Sequence, residues 1–356
     1  MTIQNIAVLF GGQSTEYGVS LQSAASVIDH LDRSKYAVIM IGITREGAWF
    51  RYNGSTDEIR NDRWHSHASR IPAFLSPSRS IAGIVELAGT EYRTVPVDAI
   101  IPVLHGRNGE DGTLQGLLEL SGIPFVGCDT LSSAICMDKA IASSLVRAAG
   151  IETAATVTVW EGGDMEAAAV EAAKFGFPLY VKPSRSGSSF GITKAYNRSE
   201  LLAGIREALA HDKKVVIEQN IDGFEVGCAV LGGGDEPFIA EIDEIELAGG
   251  FFDYDEKYSL RTSQIVLPAR LDTGLADQVK AAARLIYKTL GCTGLARVDM
   301  FIAQDGRIVF NEVNTMPGFT ASSRYPNMMC HSGVTYPQLM DRLIELAIAG
   351  KELGTR

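Results

Sequence analysis

Four side chains near the C-terminus have the types and spacing of a site that binds a metal ion and an anion. Arg297 and Asp299 are two positions apart in one strand-like segment, and Glu312 and Asn314 are two apart in the next. Because side chains alternate along a strand, each pair shares one face. If the two faces coincide, the carboxylate and amide oxygens suit Mg²⁺, while the guanidinium suits developing negative charge. The alternative is an ordinary solvated hairpin face.

The two segments that carry these side chains, at 295–302 and 308–314, read as an antiparallel hairpin. Between them, Asp305-Gly306 is a strong turn signal. The Gly/Pro-rich stretch at 314–320 follows directly, and a loop of that kind places backbone N–H groups beside the carboxylates. The Gly/Pro-rich stretch therefore favours a functional site over an ordinary solvated hairpin face.

Length and composition are those of an ordinary globular chain. The 356 residues predict two or three domains, with a hydrophobic fraction of 46% and 21% charged residues. No apolar run reaches the roughly 18 residues needed to cross a bilayer, and the first residues lack the features of a signal peptide. We therefore expect a cytoplasmic protein with no membrane partner.

Charge and cysteine content narrow the classes of ligand. A net charge of −11 without a basic patch argues against nucleic acid, whereas single Lys and Arg residues beside glycines favour small phosphates. The five cysteines and six histidines show no metal-ligand spacing, so we expect buried reduced thiols and no zinc site. The cysteines are Cys128, Cys136, Cys228, Cys292 and Cys330.

The first third of the chain predicts a βαβ unit, which implies a parallel sheet with its ligand edge at the carboxyl ends of the strands. Glu16 and His105 both fall at that edge. The predicted elements are a strand at 6–10, a helix from Ser14 to about residue 31, strands at 36–43 and 99–104, and a less regular stretch at 44–95.

The remainder predicts a second α/β unit and then a β-rich unit. The second unit contains a helix at 137–149, strands at 153–160, 179–182 and 215–219, and helices at 165–175 and 199–210. The β-rich unit contains strands at 225–231, 238–246 and 263–267, a helix at 275–290, the hairpin, and a helix at 336–349.

Two features indicate phosphate binding. The Gly/Ser-rich loop at 184–191 follows a strand that ends in Lys182, and its backbone N–H groups could hold an anion. Lys139 lies in the first turn of a helix, where a cation opposes the helix dipole and so invites a functional reason. Neither the P-loop nor the dinucleotide-binding pattern is present. A surface turn is the alternative for the Gly/Ser loop.

Taken together, the ordered motifs carry a family resemblance. The chain resembles D-alanine–D-alanine ligases of the ATP-grasp superfamily over essentially its whole length. Each motif is modest alone, but chance agreement at so many ordered positions is negligible. The matching motifs lie at 10–20, 105–116, 137–139, 182–191, 253–258, 297–301 and 311–320.

The resemblance implies an α/β protein with an α+β C-terminal part. It would have the ATP-grasp fold, with a parallel-sheet substrate domain at 1–127, a central lid domain at 128–222 and a catalytic domain at 223–356. It also implies a homodimer. ATP would phosphorylate the carboxylate of D-alanine, and the amine of a second D-amino acid would attack the acyl phosphate.

The resemblance also implies the ligands of ATP and metal. Two Mg²⁺ ions, which Mn²⁺ could replace, would neutralise the phosphates. The implied metal ligands are Asp299, Glu312 and Asn314. The implied ATP-binding residues are Lys139 and Lys182 at the phosphates, Glu218 at the adenine, Glu225 at the ribose, and Ser188 and Asn311.

The implied catalytic groups surround the first D-alanine. Glu16 would hold its ammonium, and His105 would lie near its carboxylate. Arg297 and the backbone N–H of Gly318 would stabilise the tetrahedral oxyanion. The remaining implied roles are a hydrogen-bonded triad of Glu16 with Ser188 and Tyr258, Lys257 near the transferred phosphoryl group, Ser323 near the second substrate's carboxylate, and a closing lid at 249–263.

Three positions depart from the commonest pattern of these ligases: Gly18, Phe252 and Arg324. An apolar residue usually follows Ser323, and with Arg324 there the chain is similar to the D-alanine–D-serine ligases of glycopeptide resistance. Arg324, held by Asp243, could offer donors to a serine hydroxyl. A site that needs a substrate hydroxyl rejects the analogue lacking it by up to about 10⁴–10⁵-fold. Alternatively, Arg324 pairs with a carboxylate structurally or binds only the substrate carboxylate.

Several functions stay open on the sequence. The lid pair Lys257 and Tyr258 argues against D-lactate, because ester-forming relatives usually lose it. The first alternative to D-serine is a housekeeping D-alanine–D-alanine ligase for peptidoglycan precursors. The others are an ATP-grasp ligase of another amino-acid pathway and a non-catalytic nucleotide-binding protein.

Overall fold

The computed structural model describes residues 3–187, 191–233, 236–247 and 263–352. Within those ranges the chain forms three β-sheets with helices packed on them, which confirms the predicted α/β class. None of the helices described there is long and apolar enough to cross a bilayer.

The first sheet combines a parallel centre with an antiparallel extension. Its strands are β1 (Gln4–Gly11), β2 (Tyr36–Ile43), β3 (Trp49–Tyr52), β4 (Ile71–Leu75), β5 (Gly83–Ala88), β6 (Glu91–Pro96) and β7 (Ala99–Val103). They lie in the order β6-β5-β4-β3-β2-β1-β7. β1 pairs in parallel with β2 and β7, whereas β2 to β6 pair antiparallel. The predicted parallel sheet is therefore confirmed for β2, β1 and β7.

The prediction of less regular chain at 44–95 is wrong. That stretch contains β3 to β6, the helix α2 (Thr56–Arg60) and a 3-10 turn at Trp64–Ser66. Its strands are short, and β6 buries only Val95. A mostly exposed strand lacks the apolar alternation by which strands are recognised.

Two helices cover opposite faces of β1 because its side chains alternate. α1 (Tyr17–His30) packs with Ile6, Val8 and Phe10, and α3 (Thr113–Ser121) packs with Ala7 and Leu9. The loops that follow β1 and β7 consequently meet at the carboxyl edge of the sheet. They carry Glu16 and His105, as predicted.

The second sheet is antiparallel and supports the Gly/Ser loop. Its strands β9 (Thr156–Trp160), β10 (Leu179–Pro183), β11 (Thr193–Ala195) and β12 (Lys214–Gln219) lie in the order β11-β10-β12-β9. Helices α6 (Met165–Ala172) and α7 (Arg198–Leu209) bury their apolar residues against it. Helices α4 (Thr130–Met137) and α5 (Lys139–Ala148) precede it, where the sequence reading placed one helix.

The third sheet carries the hairpin. Its strands are β8 (Glu152–Thr153), β13 (Gly223–Gly232), β14 (Phe238–Leu247), β15 (Ser263–Val266), β16 (Gly294–Ala303) and β17 (Ile308–Asn314), in the order β15-β14-β13-β16-β17-β8. β8 joins this sheet from within the predicted central domain. The boundaries proposed after residues 127 and 222 remain predictions.

Helices on both faces of the third sheet direct its polar side chains. α8 (Thr273–Thr289) packs against Ala296, Val298 and Met300 of β16. α9 (Arg324–His331) and α10 (Tyr336–Glu352) pack beyond the opposite face. Arg297 and Asp299, which alternate with the α8 contacts, therefore face away from α8.

The thiols behave largely as predicted. Cys128, Cys136, Cys228 and Cys292 are buried and free, whereas Cys330 is exposed, contrary to the prediction. No group of three or more His, Cys, Asp or Glu side chains that could hold a metal occurs in the part of the chain that the structure describes.

Candidate active site

The hairpin brings together the four side chains from which the sequence argument started. Across β16 and β17, Asp299 lies opposite Glu312 and Arg297 lies opposite Asn314. The two polar faces therefore coincide. Asp299 is 1% exposed, so its charge needs compensation within the protein.

Arg297 supplies that compensation. Its Nε donates to Asp299 Oδ1 at 2.8 Å and its Nη2 donates to Oδ2 at 2.7 Å. Burial disfavours the charged guanidinium, but the Asp299 charge outweighs it and raises the pKa of Arg297. The structure thus pairs the predicted oxyanion residue with a predicted metal ligand.

The donor chemistry of Asp299, Glu312 and Asn314 fits Mg²⁺, which binds few protein oxygens and keeps several waters. Asn314 Nδ2 donates to Asp299 Oδ2 at 2.9 Å, so the amide lies directly beside the carboxylate with which it would share the metal. Lys139 Nζ is 3.5 Å from Glu312 Oε2. A phosphate beside this carboxylate would meet a cation already in place.

A cleft of about 470 Å³ lies between the second and third sheets. Its size suits a nucleotide. Every predicted ATP ligand among the described residues lines it, together with the metal ligand Glu312. These residues are Lys139, Lys182, Glu218, Glu225 and Asn311.

Within the cleft, Lys182 Nζ donates to Glu218 Oε2 at 2.5 Å. Burial lowers the pKa of Lys182, but the Glu218 charge more than compensates, so the ammonium form is favoured. Lys139 Nζ donates to the Ser186 carbonyl at 2.8 Å. Both lysines line the cleft, and Lys139 also contacts the Gly/Ser loop.

Asp138 fixes Lys139 at the first position of α5. Its Oδ1 accepts from the Ile141 N–H at 3.2 Å, which caps the helix, and from Lys214 Nζ at 2.7 Å. Ser184 Oγ also donates to it at 2.9 Å. This carboxylate ties the start of the helix to the second sheet. Sequence reasoning did not single it out, although a capping Asp before a helix was a usable signal.

The carboxyl edge of the first sheet places His105 at a junction. Its Nδ1 lies 2.8 Å from the Met316 carbonyl, and its Nε2 lies 3.1 Å from Ser23 Oγ. Burial lowers the pKa of His105, and the nearby charge of Glu16 opposes that shift. The imidazole therefore links helix α1, which covers the first sheet, to the loop after β17. The same edge lines a cavity of about 370 Å³.

Glycines allow two loops to approach Glu16. A Cβ on Gly187 would lie 2.5 Å from Glu16 Oε2, and a Cβ on Gly106 would clash with the same oxygen. Gly106 also has a φ of +69°, which favours glycine. The Gly/Ser loop and the His105 loop thus both contact the carboxylate that was predicted to hold the substrate ammonium.

Glu110 is a site residue that the sequence reading missed. Its Oε2 accepts from the Gly106 N–H at 2.8 Å and its Oε1 accepts from the Met316 N–H at 2.9 Å. Burial, and then the charge of Glu16, raise the pKa of Glu110 to about 8. The only available signal was its place in the glycine-rich motif after β7.

Arg324 is the first residue of α9. Its Nε and Nη2 donate to the two Asp243 oxygens at 2.8 and 2.7 Å, and its Nη1 donates to Glu225 at 3.2 Å. Nη2 is also 3.7 Å from Asp299 Oδ1. The predicted Asp243–Arg324 contact is present, and it places the guanidinium beside the predicted metal ligand.

Gly318 and Ser323 are neighbours on the loop before α9. A Cβ on Gly318 would lie 3.0 Å from Ser323 Oγ, and that hydroxyl accepts from the Thr320 N–H at 3.0 Å. Their predicted roles remain predictions. The sites predicted at Ser188, Phe252, Lys257 and Tyr258 lie outside the described residues, as does the lid predicted at 249–263 except for Ser263.

Family models of known proteins match most of the chain. The D-ala D-ala ligase N-terminus model matches residues 5–128, and the D-ala D-ala ligase C-terminus model matches residues 145–345. A D-alanine–D-alanine ligase of Caldicellulosiruptor bescii is 46% identical over 98% of this chain and 96% of its own length.

A resistance protein and a ligase of known structure also match nearly the whole chain. The vancomycin/teicoplanin A-type resistance protein VanA of Enterococcus faecium is 44% identical over 97% of this chain and 98% of its own. The crystal structure of the VanG D-Ala:D-Ser ligase from Enterococcus faecalis superimposes with a TM-score of 0.89. It is 51% identical and covers 97% of this chain and 100% of its own.

Proposed function

Because the chain belongs to the D-alanine–D-alanine ligase family and has its ATP-grasp fold, we propose that it couples D-alanine to a second D-amino acid, preferably D-serine. The reaction would proceed through D-alanyl phosphate formed from ATP. The product would be a peptidoglycan precursor, and with D-serine it would serve glycopeptide resistance. Further parts of the proposal are two Mg²⁺ ions at each site and a homodimer.

The nucleotide would bind in the cleft between the second and third sheets. Lys139 and Lys182 would hold its phosphates, and Glu218, Glu225 and Asn311 line the walls around it. When bound to Asp299, Glu312 and Asn314, Mg²⁺ would neutralise charge during phosphoryl transfer. Lys139 and Lys182 would neutralise phosphate charge as well, and Lys139 lies 3.5 Å from the proposed metal ligand Glu312.

The first D-alanine would bind at the junction of the domains. Glu16 would hold its ammonium between the loops of Gly106 and Gly187. His105, which contacts Met316, would orient the loop that carries the Gly318 N–H. Arg297 and that N–H would then stabilise the oxyanion when the second amine attacks.

The environment of Arg324 is the single observation on which the proposed preference for D-serine rests. Its guanidinium is only 10% exposed and has carboxylates on two sides, so the second subsite is polar. A guanidinium has five N–H donors, and the bonds to Asp243 and Glu225 use three. The two other N–H groups would bind the hydroxyl of D-serine. The name of VanG, a D-Ala:D-Ser ligase, supports the same choice.

The same contacts favour a second candidate function. If Asp243 and Glu225 hold Arg324 for structural reasons, the subsite does not require a hydroxyl. The chain would then be a housekeeping D-alanine–D-alanine ligase, like its relative from Caldicellulosiruptor bescii.

A phosphate-release screen tests the proposal. Purified protein with ATP and Mg²⁺ would be given D-alanine alone and then with D-serine, D-lactate or L-amino acids, and products would be identified by mass. We expect phosphate release to require D-alanine and to be fastest with D-serine. Release with an L-amino acid alone would instead indicate another ATP-grasp ligase, and ATP binding without release would indicate a non-catalytic protein.

A further inference from the structure

Gly227 lies at the centre of a row of acidic residues that crosses the third sheet. It is opposite Asp243 of β14 on one side and opposite Asp299 of β16 on the other. Asp299 is in turn opposite Glu312 of β17. Gly227 is the member of this row without a side chain, and the guanidinium of Arg324 lies above it.

The guanidinium fills the space that a side chain at residue 227 would occupy. A Cβ there would lie 2.7 Å from Asp243 Oδ1 and 3.0 Å from Asp299 Oδ1, and closer still to Arg324 Nη2. Its three nearest atoms all belong to these side chains and none to the backbone. Even a methyl group would therefore displace the guanidinium.

The backbone gives no other reason for glycine at this position. Gly227 is absent from the glycines with positive φ, and it pairs regularly on both sides within β13. Glycine in the interior of a strand is unfavourable and often marks a place where another group approaches closely. Here that group is a buried cation between two carboxylates.

We propose that Gly227 is a specificity-positioning residue, which seats the guanidinium of Arg324 between Asp243 and Asp299 so that its remaining donors face the second amino acid. This inference rests on the proposed role of Arg324 in selecting that substrate. Gly227 itself would contact no substrate. Its effect would pass entirely through Arg324.

The substitution Gly227→Ala tests whether Gly227 determines the position of the Arg324 guanidinium. We expect kcat/KM for the preferred second substrate to fall about tenfold or more, since one charged hydrogen bond would be displaced. The loss should appear mainly as a higher KM for that substrate, while the KM of the first D-alanine stays unchanged. The matched control is Gly233→Ala just beyond the same strand, where an added Cβ meets nothing within 4 Å.

A second background shows whether the effect passes through Arg324. The combined change Arg324→Leu with Asp243→Asn removes the cation together with its buried carboxylate, so no unpaired charge remains between them. Adding Gly227→Ala to this background should lower kcat/KM much less than it does in the wild type, because only the contacts with residue 243 and Asp299 remain. The guanidinium that the methyl group would displace is gone.

Two results would overturn the inference. One is an equal loss from Gly227→Ala in both backgrounds, and the other is no loss in the wild-type background. If Gly227→Ala fails to fold alone but folds in the second background, the steric conflict with Arg324 is supported; failure in both would refute it. A wild-type enzyme that prefers D-alanine would contradict the D-serine proposal, and the comparison would then use D-alanine.

Discussion

Asp299 and Glu312 face each other across β16 and β17, and only Glu312 of the two lines the cleft between the second and third sheets. Asp299 lies deeper, where Arg297 holds both its oxygens. The pair therefore connects the cleft to the buried guanidinium of Arg297. In the proposed mechanism, Glu312 would bind the metal next to the phosphates. Asp299 would bind the metal and also position Arg297, the donor to the oxyanion.

Removal of either carboxylate should weaken metal-dependent catalysis. For Glu312→Gln we expect a higher Mg²⁺ requirement and a loss of kcat of at least about 10²-fold, since the metal contributes several kcal/mol to phosphoryl transfer. Titration of activity with Mg²⁺ measures both effects. Asp305→Asn at the exposed turn of the same hairpin is the control. A Glu312→Gln enzyme with unchanged Mg²⁺ dependence would show that this residue is not a ligand.

Asp299→Asn should have a second consequence because Asp299 also holds Arg297. Loss of its charge leaves a guanidinium that is 8% exposed with a weaker partner. We therefore expect a lower free energy of unfolding in addition to lost activity, measured by urea titration. Stability equal to that of Glu312→Gln would contradict this dual role.

Glu110 should make the stability of the protein depend on pH. Its pKa is raised from 4.5 to about 8, so the folded protein binds a proton that the unfolded chain has released between these values. The stabilisation of the folded state by this bound proton is complete below pH 4.5 and is lost as pH rises through about 8. The free energy of unfolding should fall across this window by at most about 1.4 kcal/mol per pH unit.

Glu110→Gln removes this titration, so its unfolding free energy should vary less with pH than that of the wild type. Urea unfolding at intervals from pH 5 to pH 9 gives both curves. Glu91→Gln, at an exposed position of β6, is the control. Parallel curves for the wild type and Glu110→Gln would show that the junction of Gly106, Glu110 and Met316 does not bind the extra proton.

Arg324→Leu should change both selectivity and stability. The ratio of kcat/KM for D-serine to that for D-alanine should fall, because the donors to the hydroxyl are lost. Asp243 is 0% exposed, so its unpaired charge should cost about 3–5 kcal/mol. Addition of Asp243→Asn should recover part of that stability without restoring selectivity. An unchanged ratio of kcat/KM would mean that Arg324 has a structural role only.

The sequence predicts the local parts of this site well. β2 was predicted with its observed ends, and the alternation in the hairpin placed Arg297 and Asp299 on one face. These inferences succeed because period and turn chemistry are local properties. The strand β6 was missed because five of its six residues are exposed and carry no apolar pattern.

Relations between distant segments could not be predicted in the same way. The position of the Arg324 guanidinium between Asp243 and Asp299 depends on the register of β13 with both β14 and β16. No local sequence pattern specifies that register. Gly227 therefore looked like an ordinary strand residue. The role of Glu110 likewise depends on its hydrogen bond with Met316, a partner about two hundred positions away in the sequence. The contact of Asp243 with Arg324 is predicted only through the family resemblance.

The most direct test of the account is a competition in a single reaction. Purified protein would receive ATP, Mg²⁺ and D-alanine with an equal concentration of D-serine at neutral pH, and the two dipeptides would be quantified by mass. We predict that D-alanyl-D-serine predominates. An excess of D-alanyl-D-alanine would contradict the preference for D-serine and identify the protein as a D-alanine–D-alanine ligase.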